Sequence, residues 1–371
     1  MHINIVLPKF NLSGGCRIAC SHAKYLREFG HHVTITAPEE AKLGLLRRLR
    51  RSVRQGRYIP ERPSQAMDYA AQSGADINLI ERKVAPESSD FPDADIIMAT
   101  WWETVEWVHA AAPSKGAKCH LVQDHEIFPG QPLARVRAAY GSPIYKIAVS
   151  GWLAREMRQV YGAYNCALVP NGIDLKAFQS MPRRKGQVPC FGFLYTWAKR
   201  KNIALAIEAL SQARLEGAEF KAVAFGSVTP IKDLPLPGWI DYHRRPSPED
   251  LRSIYSNCDA WLFTSYSEGF GLPILEAMAC HTPVIAAPSG AAPDLINGHN
   301  GILTKPSVRS FVREIKRFCR MDNSEWEAMS EAAYRTAQRH DLRHSSEKME
   351  KALEDCLAKD LQHEQTLVTP V

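Results

Sequence analysis

Short apolar runs alternate with longer helical patterns along most of this chain, and the alternation starts a second time near its middle. In the first half the apolar runs are INIVLP, HHVTITAP, ADIIMAT, KCHLVQD and KIAVS, and in the second half they are CFGFLY, FKAVAFGS, AWLFTS and TPVIAAP. Helical patterns between such runs indicate βαβ units on a parallel sheet. A length of 371 residues with 45% hydrophobic content is enough for two packed cores. We therefore predict an α/β protein in which two Rossmann-like domains face each other across a cleft.

The change of rhythm sets the predicted domain boundaries. The polar, basic stretch QSMPRRKGQVP is typical of an interdomain linker. Two amphipathic patterns, SEWEAMSEAAYRTAQRH and SSEKMEKALEDCLAKDL, precede a polar end that has no apolar face to bury. We predict an N-terminal Rossmann-like domain at 1–178, a linker at 179–189, a C-terminal Rossmann-like domain at 190–340, a C-terminal helix at 341–361 and a tail at 362–371.

Charge and cysteine content limit the classes of partner. A net charge of +6 is a small excess, so it predicts no nucleic-acid partner but is compatible with phosphate-bearing small molecules. The nine cysteines are scattered, without a Cys-x-x-Cys pair or a ligand-like Cys/His set, which favours reduced thiols. The start, MHINIVLP, does not resemble a signal peptide, and no apolar run is long enough to span a membrane. We expect a cytoplasmic protein.

One strongly basic segment, KLGLLRRLRRSVRQGRY at 42–58, interrupts this pattern. Its seven basic residues accompany Leu43, Leu46, Leu49 and Val53, which lie close to helical spacing. One interpretation is a solvated surface helix or loop with the leucines packed inward. The other is a peripheral contact with the inner membrane face or with an anionic ligand.

The stretch SEGFGLPILEAMAC follows the buried-strand run AWLFTS and contains two acids, Glu268 and Glu276. The strand delivers this stretch to the carboxyl edge of the sheet, where open α/β folds bind ligands. Pro273 favours a helix that begins there. Gly269 and Gly271 allow backbone N–H groups to approach a ligand, and the helix N-terminus favours a phosphate. Each glutamate is then suited to accept hydrogen bonds from hydroxyls that flank the phosphates, as in a nucleotide sugar.

The longer stretch EGFGLPILEAMACHTPVIA resembles the Glu-x7-Glu signature of the family four retaining glycosyltransferases of GT-B fold. The resemblance implies that Glu268 contacts hydroxyls of the donor sugar and that Glu276 holds the ribose of the nucleotide. It also implies that the residues after Glu268 bind the donor, namely Gly269, Phe270, Gly271 and Leu272. The plainer alternative is that Glu276 only complements a helix dipole and Glu268 is a surface loop acid.

Other stretches match the same family in order along the chain. NLSGG, with Gly14 and Gly15, is similar to the family's glycine-rich loop near the donor phosphates and acceptor. VPNGID, with Asn171, is similar to the turn on the hinge side of the donor site. AFGS, SPEDLRSIYSNCDAWLFTS and NGHNGILTKP are similar to the donor domain. The resemblance thus implies an acceptor-side N-terminal domain and a donor-binding C-terminal domain.

The phosphate-binding cations depart from the family pattern of Gly-Arg-Leu followed by Lys-Gly or Lys-Asn. This chain has GFLYTWAKRKN, with Phe193 where the family has arginine. We carry the motif lysine over to Lys201, and Arg200 is a candidate replacement for the missing arginine. A cation here would neutralise the departing diphosphate, and the alternative is a solvated basic loop.

The acceptor side also departs from the family pattern, which often places a histidine there after a strand. Here the strand end is HLVQDHEIFPG, so Gln123 and Asp124 occupy the His-Asp position and His125 follows. Asp124 or His125 lines the acceptor side in one interpretation and only holds the loop in the other. The aromatic stretch WWETVEW nearby favours core packing over stacking on a sugar.

Two further departures concern His281 and a short acidic motif. His281 stands where the family commonly has glycine, and we expect the helix C-terminus to tolerate an imidazole there. The motif DAD at 93–95 matches a metal-binding Asp-x-Asp pattern but opens the run ADIIMAT, so we interpret it as structural. We expect no metal and no cofactor.

The resemblance implies transfer of a sugar from a nucleoside diphosphate donor to an acceptor hydroxyl with retention at the anomeric carbon. Glu268, Lys201, Asp124 and His125 are the candidate catalytic residues. The acceptor is a glycan, a lipid-linked molecule or a small molecule. Three alternatives remain: a non-catalytic nucleotide- or glycan-binding descendant, a nucleotide-sugar epimerase, and a dehydrogenase, against which the missing Gly-x-Gly-x-x-Gly counts.

Overall fold

The computed structural model describes residues 1–11, 13–39, 65–81 and 85–368. Contacts divide the chain into two compact units. The first unit comprises 1–148, 156–167 and 346–371, and the second comprises 149–155 and 168–345. Each unit is built on its own parallel sheet, as the alternating pattern predicts.

The sheet of the first unit has the strand order β3-β2-β1-β4-β5-β6-β7. The pairs from β3 to β6 in this order run parallel, and Ile5 of β1 lies between Ile35 of β2 and Met98 of β4. These three side chains belong to a core that water does not reach. The strands are β1 (His2–Val6), β2 (His32–Pro38), β3 (Asp76–Ile80), β4 (Ile96–Ala99), β5 (Ala117–Val122), β6 (Tyr145–Ala148) and β7 (Cys166–Leu168). The helices are α1 (Gly14–Glu28), α2 (Gln65–Gln72), α3 (Trp102–Ala110), α4 (Leu133–Gly141) and α5 (Gly151–Tyr161), whose residues 151–155 belong to the second unit.

The sheet of the second unit has the strand order β10-β9-β8-β11-β12-β13, again parallel. The strands are β8 (Cys190–Leu194), β9 (Lys221–Gly226), β10 (Ile240–Arg244), β11 (Ala260–Phe263), β12 (Val284–Ala286) and β13 (Gly301–Leu303). The helices are α6 (Leu175–Phe178), α7 (Ile203–Leu215), α8 (Pro248–Ser256), α9 (Leu272–Ala279), α10 (Ala292–Leu295), α11 (Val308–Arg320), α12 (Asn323–Arg339) and α13 (Leu342–Val368). Because the strands are parallel, the loops after β8, β9 and β11 emerge at one edge of the sheet.

The division by contacts differs from the boundary predicted at residue 178. The stretch predicted as a linker, 179–189, has neither helix nor strand but is fastened to the second unit. Arg183 donates to Asp259 Oδ1 at 2.8 Å, and Lys185 Nζ donates to the carbonyl of Met321 at 2.6 Å. These contacts explain why the predicted linker is part of the second unit.

The C-terminal helix also departs from the prediction. The part of α13 from Ser346 onward belongs to the first unit, where His22 Nδ1 and Ser346 Oγ lie 2.9 Å apart and His31 pairs with Glu350 at 2.7 Å. The helix continues to Val368, so the tail predicted at 362–371 is helical over most of its length. Extending a helix that already exists costs far less than nucleating one, which accounts for the longer helix.

Candidate functional site

The loop between β11 and α9 holds the two glutamates of the sequence motif. Gly271 precedes the helix with a φ of 99°, and a Cβ atom there would lie 2.7 Å from Phe263 Cζ. Only glycine fits this position without strain. Pro273 lies in the first turn of α9, as predicted, and the helix begins at Leu272.

Glu268 lies at the centre of a charged cluster. Its side chain is 5% exposed, and its Oε1 accepts hydrogen bonds from Lys201 Nζ and from Ser265 Oγ, the latter at 2.7 Å. Arg200 Nη1 lies 3.5 Å from Oε2. A carboxylate this buried requires such partners, because burial of an unpaired charge is costly. Glu268 is therefore not the solvated surface acid of the plainer alternative.

The two cations reach Glu268 from the loop after β8. Lys199–Lys201 forms one 3₁₀ turn, and Asn202 then takes a left-handed conformation with φ of 49° before α7 begins. Thr264 Oγ1 donates to the carbonyl of Lys201 at 3.0 Å and ties this turn to the loop of Glu268. Phe193, which replaces the family arginine, is 1% exposed inside β8 and belongs to the hydrophobic core.

Backbone groups around Glu268 are also fixed. The carbonyl of Gly269 accepts from Ser150 Oγ at 2.7 Å and from Trp152 Nε1 at 3.0 Å. The carbonyl of the buried Phe270 accepts from the N–H of Ala291 at 2.7 Å. The loop is therefore held on both sides by hydrogen bonds within the second unit.

Glu276 lies one turn into α9 and is 7% exposed. Its Oε2 accepts a hydrogen bond of 2.7 Å from the hydroxyl of Tyr255, which is fully buried on α8. Burial and the neighbouring carboxylate raise the pKa of Tyr255 well above its ordinary value, so this phenol remains a donor. Sequence reasoning missed Tyr255, although its position in SPEDLRSIYSNC places it on the inner face of the preceding helix.

Asn171 also belongs to the second unit. It is 4% exposed, and its Oδ1 has no hydrogen-bond partner within the described part of the chain. The turn that carries it is tight, since a Cβ on Gly172 would lie 2.6 Å from the Cα of Leu342. Ile173 N–H donates to the carbonyl of His340 at 2.8 Å. An unpaired buried amide oxygen in a fixed turn is suited to accept from a ligand.

In the first unit, the glycine-rich loop meets the end of β5. Gly14 begins α1, and Ser13 caps the helix by accepting from Cys16 N–H at 3.4 Å. Gln123 Nε2 donates to the carbonyl of Gly15 at 3.1 Å, and its Oε1 has no partner among the described residues. Gln123, at the first position of the His-Asp pair, therefore contacts the glycine-rich loop.

Asp124 and His125 are anchored within the first unit. Asp124 Oδ1 accepts from the N–H of His125 at 2.9 Å, and its carbonyl accepts from Tyr140 Oη at 2.9 Å. His125 Nε2 lies 2.8 Å from Tyr161 Oη, and Nδ1 lies 3.8 Å from Glu156. Burial lowers the pKa of His125, while Glu156 opposes that change. The imidazole is thus oriented by Tyr161 and Glu156.

Glu126, which sequence reasoning missed, is the most perturbed acid near this loop. It is 1% exposed, and its Oε2 accepts from the N–H of Trp102 at the start of α3, at 3.0 Å. Burial raises the pKa of Glu126 to about 8. The same tryptophan is 6% exposed, so core packing is correct for this part of WWETVEW.

The two departures named above have clear local causes. His281 takes a φ of 56°, which explains the family's glycine, and its ring stacks on Tyr334 with centroids 4.1 Å apart. We expected only that the helix C-terminus tolerates the imidazole, but the left-handed backbone is the main constraint on the residue at this position. Asp93 pairs with Lys115 at 2.8 Å, and Asp95 accepts from the N–H of His2 at 2.6 Å, as a structural role requires.

Three findings concern metals, thiols and membranes. The described residues contain no group of three or more His, Cys, Asp or Glu side chains arranged to hold a metal ion. All nine cysteines are free thiols. None of the helices in the described ranges is both long and apolar enough to cross a lipid bilayer. The basic segment 42–58 lies outside the described residues.

Comparisons with known families cover most of the chain. The sequence pattern of Glycosyltransferase Family 4 matches residues 12–177, and that of Glycosyl transferases group 1 matches residues 178–336. The two matches are consecutive and correspond to the two halves of the alternating pattern.

Individual proteins are similar over shorter stretches. O-antigen chain mannosyltransferase B of Escherichia coli is 39% identical over 70 residues, which is 19% of this chain and 18% of that protein. D-inositol 3-phosphate glycosyltransferase of Paenarthrobacter aurescens (strain TC1) is 31% identical over 173 residues, which is 40% of this chain and 42% of that protein. This chain therefore spans less than half the length of either relative.

Among solved structures, Anabaena Alr3699/HepE in complex with UDP and glucose has a TM-score of 0.74. The comparison covers 96% of this chain and 100% of that chain at 17% sequence identity. At this identity the likeness shows the fold, which is the GT-B combination of two Rossmann-like domains.

Proposed function

Because this chain belongs to the family four glycosyltransferases of GT-B fold, we propose that it transfers a sugar from a nucleoside diphosphate donor to an acceptor hydroxyl in glycan biosynthesis. We propose further that the anomeric configuration is retained and that no metal takes part. The observation that carries the proposal is the contact of Lys201 and Arg200 with the buried Glu268 beside the start of α9. The O-antigen and inositol phosphate relatives, and the UDP bound to Alr3699/HepE, support this type of reaction.

The donor site of this proposal lies in the second unit. The N–H groups at the start of α9 and the positive end of its dipole hold the diphosphate. Glu268 accepts hydrogen bonds from the transferred sugar, and Glu276 accepts from the ribose. Tyr255 fixes the carboxylate of Glu276 by its 2.7 Å hydrogen bond, so the ribose meets an oriented acceptor.

The chemistry requires charge stabilisation more than an enzymic nucleophile. The bond between the anomeric carbon and the diphosphate oxygen breaks while the acceptor oxygen bonds to the same face of that carbon. The acceptor's proton passes to the departing phosphate oxygen. Lys201 and Arg200 stabilise the negative charge that develops on the diphosphate, which is the largest electrostatic demand of this step.

The first unit supplies the acceptor side in this proposal. The family resemblance assigns Gly14 and Gly15 to the glycine-rich loop, and Gln123 holds that loop through the carbonyl of Gly15. Asp124 and His125 line the acceptor side as candidate catalytic residues. Their hydrogen bonds to neighbouring side chains would keep them oriented before the acceptor arrives.

The test is a transfer reaction with purified protein in EDTA, with nucleoside diphosphate sugars and a mixture of sugar acceptors. Glu268→Ala should abolish transfer, and Glu276→Ala should weaken donor binding by about 1–3 kcal/mol for a lost buried hydrogen bond. Glu208→Ala, at an exposed position on α7, is the matched control and should behave as wild type. Proton NMR of the product reports the anomeric configuration, and an inverted product would refute the retaining mechanism. Conversion of donor without any acceptor would favour an epimerase instead.

A further inference from the structure

A cationic stripe runs along helix α11, which carries none of the donor site residues described above. The apolar side of α11 is buried in the core, with Phe311, Ile315 and Phe318 fully covered. The opposite side carries four cations at intervals of four, three and four residues, which places them on one face of a helix. They are Arg309, Arg313, Lys316 and Arg320. At 1.5 Å per residue the stripe is about 17 Å long.

This stripe forms one wall of a groove of about 1010 Å³. The other lining comes from the end of β13 and the C-terminal part of α7, and Lys305 adds a fifth cation. Glu216 is the single acid of the lining and pairs with Lys316 at 2.8 Å. Lys305 and Arg309 have no ion-pair partner in the described part of the chain. Arg313 pairs with the buried Glu314 at 2.6 Å, so the five cations of the groove exceed the acids paired with them by three.

The groove also contains apolar side chains and a hydroxyl, which interact with uncharged parts of a ligand. Leu303 and Val308 contribute apolar lining beside the cations. Thr304 lines the groove and is 6% exposed, and its hydroxyl has no hydrogen-bond partner among the described residues. A buried hydroxyl without a partner costs free energy unless a ligand or water satisfies it.

We infer that this groove, which we call the α11 groove, binds an extended anionic glycan whose sugars carry carboxylate or phosphate groups. Neighbouring cations on a helix face lie about 5–6 Å apart, which is comparable to the length of one sugar ring. The cations would then pair with the acidic groups, the apolar lining would pack against the faces of the sugar rings, and the Thr304 hydroxyl would form a hydrogen bond with a sugar hydroxyl. A flat membrane surface matches a concave groove with a buried hydroxyl less well. The inference rests on the proposed function, since the α11 groove would hold another part of the extended glycan whose reacting end is the acceptor.

The experiment is affinity electrophoresis of the full chain in gels that contain polygalacturonate, a phosphorylated mannan, or neutral dextran. Wild type should be retarded by at least one acidic polysaccharide and not by dextran, and retardation should weaken with salt. Arg309→Gln/Arg313→Gln/Arg320→Gln should weaken that affinity at least tenfold. The matched control, Lys221→Gln/Arg252→Gln/Arg335→Gln, removes three exposed cations outside the groove and should behave as wild type.

Equal retardation of wild type and the triple groove variant would overturn the inference, as would equal retardation in dextran. Loss of binding to phosphatidylglycerol vesicles or to an RNA oligonucleotide in the groove variant, with polysaccharide binding unchanged, would also overturn it. Thermal stabilisation by nucleoside diphosphates separates this inference from the proposed function. The groove variant should still be stabilised by the nucleotide. If no nucleotide stabilises wild type, the proposed donor site is refuted, while binding of the polysaccharide to the α11 groove is not.

Discussion

Replacing Lys201 by methionine removes the closest cation from the buried carboxylate of Glu268 while keeping an unbranched side chain of similar length. Glu268 is 5% exposed and Lys201 is 18% exposed, so water replaces the lost partner poorly. Removing one member of a buried ion pair costs about 3–5 kcal/mol. Arg200 at 3.5 Å and the Ser265 hydroxyl at 2.7 Å remain, so we expect the lower end, about 3 kcal/mol.

The assay is urea denaturation followed by tryptophan fluorescence, performed as a double-mutant cycle. Glu268→Gln in the Lys201→Met background removes the unpaired charge, so the two changes together should cost less than their sum, by about 1–3 kcal/mol. The control is Arg335→Met, which breaks the exposed pair with Glu331 at 3.0 Å and should cost less than about 1 kcal/mol. A coupling near zero, or a cost of Lys201→Met no larger than that of the control, would refute the reasoning.

Three further predictions follow from side chains around the sites. Tyr255→Phe removes a hydrogen bond to the carboxylate of Glu276, so the free energy of unfolding in urea should fall by about 1.5–3 kcal/mol. Nucleotide binding measured by calorimetry should also weaken. An unchanged stability together with an unchanged affinity would contradict the pairing of Tyr255 with Glu276. Burial raises the pKa of Glu126 from 4.5 to about 8, so folding takes up a proton between these pH values and stability falls as pH rises. The stability of wild type relative to Glu126→Gln should therefore decline over this window, by up to about 1.4 kcal/mol per pH unit. A pH-independent difference would exclude a raised pKa of Glu126. His281 has a φ of 56°, so His281→Gly should unfold at a higher urea concentration than His281→Ala, by about 1 kcal/mol in stability; equal midpoints would mean that loss of stacking on Tyr334 is the whole effect.

The sequence predicts what depends on local pattern. Strand and helix periodicity give both parallel sheets, and the spacing of Gly271 and Pro273 gives the start of α9 beside Glu268. Phe193 also follows from its apolar strand, whose interior excludes a charged side chain. These features can be predicted from the sequence because they depend on residues that are close together in the chain.

Contacts between distant parts of the chain could not be predicted in this way. Gln123 donates a hydrogen bond to Gly15, which lies 108 residues away in the sequence, and Tyr255 donates one to Glu276 on a different helix. Neither contact has a periodic signal, since each depends on how separate elements pack. The left-handed backbone of His281 was signalled only by the glycine that the family commonly has at this position, and the chain's own local pattern does not predict it.

The central claim is that the motif of Glu268 and Glu276 binds a nucleoside diphosphate without metal. It is tested most directly by thermal unfolding of the full chain in EDTA with UDP, GDP, ADP and TDP. A ligand that binds only the folded state at 100 times its Kd adds about 2.7 kcal/mol of stability. We predict that one nucleotide stabilises wild type and Glu208→Ala equally and stabilises Glu276→Ala less, because that variant binds it more weakly. Stabilisation of Glu276→Ala equal to that of wild type, or no stabilisation by any nucleotide, would contradict the claim.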